Sequence, residues 1–133
     1  MDAQTRATAE ACLAAANDGS LDFPAIVARL IAAGFEGYTV DYRRGVSTYY
    51  LPDGDSVDLP HPAQDGPVAA AFQAPVVEAA VHEAQAKVPG YTYRGFCGKV
   101  TAAGCAGTIV SFSGRRVVYF GRTAETHVEH FPP

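Results

Sequence analysis

The chain has 133 residues, of which 48% are hydrophobic and 18% charged, and its formal net charge is -4. This balance is typical of one folded domain over 1–133, and it excludes disordered and collagen-like chains. The negative charge disfavours nucleic acid as a partner, because no overall positive field would attract phosphates.

Neither a signal peptide nor a membrane span is predicted. The first residues, MDAQTRATAE, lack a basic stretch followed by an apolar run, and no apolar run approaches the about 18 residues that cross a membrane.

Cys12, Cys97 and Cys105 are odd in number and widely spaced, which is typical of reduced packing residues rather than of a disulfide framework or a zinc site. We therefore expect a cytoplasmic protein without a metal or a cofactor.

Helical periodicity opens the chain. A first helix is predicted over roughly 8–16, with inward residues Ala9, Cys12, Leu13 and Ala16. A second begins near Phe23 and ends at Gly34, since glycine can take the left-handed conformation that closes a helix.

Alternation with a period of two follows, and it predicts three strands over 38–42, 47–51 and 56–59. The turns between them are Arg43-Arg44-Gly45 and Pro52-Asp53-Gly54. A stretch rich in Pro, Gly and Asp, over about 60–67, is then a linker.

The same order of elements repeats 70 positions later. The segment LIAAGFEGYTVDY, 30–42, overlies VTAAGCAGTIVSF, 100–112, without a gap. The second copy has a helix over 75–87, a helix ending at Gly104, and strands over 108–112, 116–120 and 125–131. Repeat one thus covers about 5–59 and repeat two about 75–132. We predict an α+β fold of two helix-helix-three-strand units, related by an approximate twofold axis, with an antiparallel-rich sheet.

Two stretches, GFEGYTVDYRRGVSTYYLPDGDS and AAGCAGTIVSFSGRRVVYFGRTAETHVEHFP, carry a resemblance that spans nearly the whole chain. The chain resembles the YbcV-like family, a domain family of unknown function in which some members are labelled phage envelope proteins. The resemblance implies an α+β fold and a bacterial or prophage setting. It assigns no catalytic or ligand-binding residue.

The richest polar cluster lies in the last predicted strand, where alternation places Glu125, His127 and Glu129 on one face. A histidine between carboxylates could bind a divalent metal or act as a general base. The alternative is the solvent face of an edge strand, whose charges prevent pairing with other sheets. His82 is predicted to form only a surface pair with Glu78, one helical turn earlier.

Two further sets are candidates for ligand binding. Tyr50 and Tyr119 are predicted at equivalent positions of the two copies, where they line a shared pocket or serve as core or interface aromatics. Arg43-Arg44 and Arg115-Arg116 lie at or beside the equivalent hairpin tips, where Arg116 and its neighbours hold an anion or are simply solvated.

Two functions remain open from the sequence. The first is a non-catalytic binding or interaction module that forms a homo-oligomer, because the duplicated scaffold is rich in aromatics and lacks an assembled catalytic set. We expect a homodimer that buries part of a face carrying Tyr50 and Tyr119, since four helices cannot cover both sides of six strands. The second is a small metal-assisted hydrolase or isomerase that uses His127 with Glu125 and Glu129. The sequence identifies no small-molecule ligand.

Overall fold

The computed structural model describes residues 1–64 and 66–133, and in these it has four helices and six strands. They are α1 (Ala3–Asp18), α2 (Phe23–Ala32), β1 (Gly37–Asp41), β2 (Val46–Tyr50), β3 (Ser56–Pro60), α3 (Ala74–Ala86), α4 (Tyr93–Ala102), β4 (Cys105–Ser111), β5 (Arg116–Gly121) and β6 (Thr126–His130). The predicted linker over 60–67 includes Asp65, which lies outside the described residues. Within the described residues, no helix combines the length and the apolar character needed to cross a membrane.

The six strands form one sheet in the order β3-β2-β1-β4-β5-β6, and every neighbouring pair is antiparallel. At its centre β1 pairs with β4, with Thr39 opposite Ile109. These two residues are 70 positions apart, and the pair Thr48 and Asp58 recurs at the same interval as Val118 and Val128. The mirrored strand order and the repeated register confirm the predicted twofold relation between the units.

The sheet has one covered and one uncovered face. The strand residues of the hydrophobic core lie on a single face, which we call the inner face: Tyr49, Val57, Leu59, Val110, Val117 and Tyr119. The same core includes residues of all four helices, among them Cys12, Leu30, Val77 and Val100. The molecule is therefore a two-layer α+β domain with its helices on the inner face.

The residues that alternate with the core positions form the outer face. They are Thr39, Asp41, Val46, Thr48, Tyr50, Ser56, Asp58, Ile109, Ser111, Arg116, Val118, Phe120, Thr126, Val128 and His130. Among the described residues, no helix contributes to a core on this side of the sheet.

The helix ends follow local capping rules. Gly34 and Gly104 follow α2 and α4 with φ of 98° and 91°, which confirms the predicted left-handed stops. The carboxylate of Asp2 accepts a hydrogen bond from the backbone N–H of Thr5, and this cap starts α1 one turn before the apolar pattern begins.

Ser47 is a polar residue on the inner face, at a position where the fold also accepts an apolar side chain. Ser47 is 1% exposed, and its Oγ has no hydrogen bond of good geometry within residues 1–64 and 66–133, although the Tyr49 hydroxyl lies within reach of it. The equivalent residue of the second copy is Val117, which belongs to the hydrophobic core. A buried hydroxyl without a good hydrogen bond costs stability, so Ser47 is a weak point of the first copy.

Candidate functional site

A carboxylate lies between two imidazoles where α3 meets β6. Glu129 Oε1 is 3.1 Å from His127 Nε2 and 3.3 Å from His82 Nε2. His127 and Glu129 lie on the inner face of β6, as the alternation predicted, whereas His82 is contributed by α3. We call these three residues the carboxylate–imidazole cluster. Its third member, His82, was not predicted as part of a site.

The duplication shows that this cluster is not a requirement of the fold. His127 and Glu129 occupy the positions that Val57 and Leu59 hold in the first copy, where each apolar residue is 5% exposed. The side chains of His127 and Glu129 are 18% and 20% exposed, so two ionisable groups replace a buried apolar pair. Replacing an apolar pair by ionisable residues loses the free energy of apolar burial, and the partial burial of charged groups has a desolvation cost. The cluster is therefore where the second copy departs most in chemistry from the first.

The geometry of the cluster suits proton transfer. Because an ionised carboxylate only accepts hydrogen bonds, His127 Nε2 is the donor in its contact of 3.1 Å with Glu129 Oε1. The ring of Tyr119 lies 6.3 Å from that of His127, and burial raises the pKa of Tyr119, so it remains a neutral phenol. A histidine oriented by a carboxylate is the usual arrangement of a general base.

Glu125, the other predicted member, precedes β6 and is exposed. In the part of the chain that the structure describes, no group of three or more His, Cys, Asp and Glu side chains is arranged to hold a metal ion.

The outer face carries an apolar row through its middle. Ile109, Val118 and Val128 follow one another in register across β4, β5 and β6, and the polar Thr39, Thr48 and Asp58 continue the same line across β1, β2 and β3. Ile109 is 45% exposed and Val128 is 37% exposed. A sheet face that meets only water is normally polar, so this row is unusual for a solvated surface.

Charge divides the same face between the two copies. Asp41 and Asp58 lie in the first copy, on β1 and β3, whereas Arg116 and His130 lie in the second, on β5 and β6. Thr48 donates a hydrogen bond of 2.7 Å to the Asp58 carboxylate from the neighbouring strand. The outer face thus has an acidic half in the first copy and a basic half in the second, and the apolar residues Ile109, Val118 and Val128 lie in the second half.

The structure corrects the predicted pairing of Tyr50 with Tyr119. Tyr50 is 37% exposed on the outer face, whereas Tyr119 is 7% exposed in the core on the inner face. The true counterpart of Tyr119 is Tyr49, and that of Tyr50 is Phe120, because the repeat interval is 70 in the strands as well. The two tyrosines share no pocket, and of the predicted ligand-binding residues only Tyr50 and Arg116 lie on the same face.

The arginine pairs do not form one site. Arg43 and Arg44 lie in the turn between β1 and β2, and Arg115 lies in the turn between β4 and β5. Since β1 and β4 run antiparallel, these turns lie at opposite ends of the sheet. Arg116 begins β5 and shares the outer face with His130, its register partner.

A buried polar cluster that the sequence did not indicate surrounds His61. His61 is 5% exposed; its Nδ1 is 3.2 Å from the carbonyl oxygen of Pro62 and its Nε2 is 3.1 Å from Tyr93 Oη. Because a carbonyl only accepts, Nδ1 carries the hydrogen and Nε2 accepts from Tyr93. Burial lowers the pKa of His61 and raises the pKa of the Cys97 thiol, which lies 4.0 Å from Nε2. Both side chains are therefore neutral. Their contacts hold the segment after β3 against helix α4.

The surface also has two shallow grooves. The larger, of about 410 Å³, lies beside the start of α4 and is lined by residues such as Thr92 and Gly98. The other lies between α1 and the end of β3. Neither is lined by a residue of the carboxylate–imidazole cluster.

No family model matches this chain, and no curated protein matches its sequence.

Proposed function

We propose that the protein is a non-catalytic interaction module whose contact surface is the outer face. The observation that carries the proposal is the exposed apolar row formed by Ile109, Val118 and Val128 on the side of the sheet without helices. The proposal includes a homo-oligomer and, from the resemblance to the YbcV-like family, a cytoplasmic protein in a bacterial or prophage setting.

The size of the apolar contribution supports this proposal. Fully burying a Val or Ile side chain contributes roughly 1.5–3 kcal/mol, and residues already half covered retain about half of that. The row, with Tyr50 and Phe120 beside it, therefore offers several kcal/mol that only contact with another chain can realise. The polar rim made by Asp58 and His130 is typical of the border of an interface.

Sedimentation velocity on the purified chain tests the proposal. Ile109→Lys would place a charge in the middle of the row, and we expect it to weaken self-association at least about tenfold, since the charge would be desolvated in the contact. Ile31→Lys is the matched control, because Ile31 is 51% exposed and lies on α2, away from the outer face. A wild-type chain that remains monomeric at high micromolar concentration, or equal effects of the two substitutions, would contradict the proposal.

The second candidate is a small hydrolase or isomerase that uses His127. What favours it is the contact of one carboxylate with two imidazoles, at positions that are apolar in the other copy. Thermal unfolding with and without Zn²⁺ tests the metal-assisted form, because an ion that binds only the folded state raises Tm. A rise that Glu129→Gln abolishes and Glu125→Gln leaves intact would support this candidate, and an unchanged Tm would contradict the metal-assisted form.

A further inference from the structure

Building on the proposed function, we infer that the outer face binds a second copy of this chain about a twofold axis that runs parallel to the strands. The acidic half of each copy then lies over the basic half of the other. The inference concerns the partner and its orientation, both of which follow from the positions of charged and apolar residues on the sheet.

Face-to-face packing of two identical sheets allows two simple twofold arrangements. With the axis parallel to the strands, β3 of one copy lies over β6 of the other and β1 over β4. With the axis in the sheet plane but perpendicular to the strands, each strand lies over the same strand of its partner. Packed sheets deviate from either arrangement by about 30° because of their twist.

Charge selects between these arrangements. An axis perpendicular to the strands would place Asp58 of β3 over the partner's Asp58, at the edge where both sheets are acidic. Like charges brought together in an interface are unfavourable. With the parallel axis, Asp58 lies at the sheet edge over the partner's Val128, and the partner's His130 is one row away on the same strand. The acidic and basic halves are thus self-complementary only in the parallel arrangement.

The same arrangement brings a cationic side chain over an aromatic ring. Tyr50 and Arg116 belong to one row of the sheet, on β2 and β5, which exchange places under the parallel axis. Arg116 of one copy therefore lies over the partner's Tyr50, a geometry suited to a cation–π contact. In the middle row, Thr39 lies over the partner's Ile109 and Thr48 over the partner's Val118, so methyl groups of threonine pack on these apolar side chains.

The available area is adequate for a dimer. Six strands about 4.8 Å apart and about five residues long, at roughly 3.4 Å per residue, give about 500 Å² of projected area on each copy. Side chains make the accessible area larger than this projection, which brings it close to the about 800 Å² per partner of a standard interface.

Cysteine cross-linking distinguishes the two axes. The native residues Cys12, Cys97 and Cys105 are buried, so single cysteines introduced on the outer face react alone in the folded protein. The variants are Tyr50→Cys, Arg116→Cys and Thr48→Cys, and the reagent is a bismaleimide whose reach matches the about 10 Å between packed sheets. Circular dichroism of each variant verifies that it is folded.

We expect a covalent dimer when Tyr50→Cys and Arg116→Cys are mixed, and much less when either is treated by itself. Thr48→Cys alone should give little product, since Thr48 lies over its own counterpart only under the perpendicular axis. A dimer by sedimentation in which Thr48→Cys cross-links to itself, or in which no pair cross-links, would overturn this inference. Only a monomer by sedimentation, or a dimer indifferent to Ile109→Lys, would overturn the proposed function as well.

Discussion

Thr39 and Ile109 are paired across the centre of the sheet, and each holds in its own copy the position that the other holds in the second. The approximate twofold axis of the domain therefore passes between them. Each residue of one copy can therefore be compared with the residue at the equivalent position of the other copy. Where the two differ, the counterpart shows a second residue type that the same fold accepts.

Ser47→Ala should stabilise the protein. The substitution removes a buried hydroxyl that has no hydrogen bond of good geometry within the described residues, and the second copy has the apolar Val117 at this position. We expect the free energy of unfolding to rise by about 1 kcal/mol, measured by urea unfolding. Ser56→Ala, at an exposed position of β3, is the control and should change it little. A loss of stability in Ser47→Ala would show that the hydroxyl has a partner, such as a bound water.

Gly34→Ala and Gly104→Ala should differ in cost although both glycines end equivalent helices. Both have positive φ, so an alanine at either position loses about 1 kcal/mol from backbone strain. A Cβ at Gly34 would meet open space, whereas one at Gly104 would clash with the carbonyl group of Ala71. We expect Gly104→Ala to cost at least about 2 kcal/mol by urea unfolding, because overpacking adds to the strain. Equal losses would mean that the segment around Ala71 yields without cost.

His61 should make stability depend on pH below neutrality. Burial lowers the pKa of His61 from its ordinary value of 6.5, so the unfolded chain binds a proton more readily than the folded one. The stability that neutral His61 provides is complete above about pH 6.5 and is lost as the pH falls below that value.

We expect His61→Gln to flatten the rise in unfolding free energy between acidic pH and neutrality, measured by urea unfolding at a series of pH values. Tyr93→Phe is the matched control, because it removes the hydroxyl that contacts His61 Nε2 but keeps the buried imidazole, so the slope should remain. The prediction fails if His61→Gln retains the wild-type slope.

Replacing the carboxylate–imidazole pair by its counterparts tests whether that cluster is structural. In the double variant His127→Val/Glu129→Leu, β6 has the inner-face residues of β3, which form part of the core. We expect stability equal to that of the wild type or about 1 kcal/mol higher, because apolar burial replaces partly buried ionisable groups. A loss of more than about 1 kcal/mol in urea unfolding would show that Glu129 and His82 hold α3 against the sheet.

The sequence was sufficient to predict the order of helices and strands. Helices and strands have different hydrophobic periodicities, and the pattern of the first copy recurs in the second. It was not sufficient to orient β5. Val117, Val118, Tyr119 and Phe120 are all apolar, so alternation does not show which of them face the helices. The sequence alone therefore predicts Tyr119 as the counterpart of Tyr50, one position away from the true counterpart, Phe120.

The contacts of His82 and His61 depend on tertiary structure. His82 meets Glu129 only because α3 packs beside β6, and no local pattern encodes that contact. His61 lies between two prolines in a stretch that composition assigns to a linker. Its burial arises because this stretch folds back onto α4, where Tyr93 and Cys97 meet it.

The hydrogen-bonded seam between β1 and β4 also determines how two molecules of this chain could swap domains. It is the only strand pairing in the described residues that joins the two copies, whereas the other four pairings join strands within one copy. Two chains that trade their second halves would restore the same hydrogen bonds at this seam. Domain swapping at high protein concentration should therefore involve whole halves rather than single strands, since one strand pairing opens in place of several.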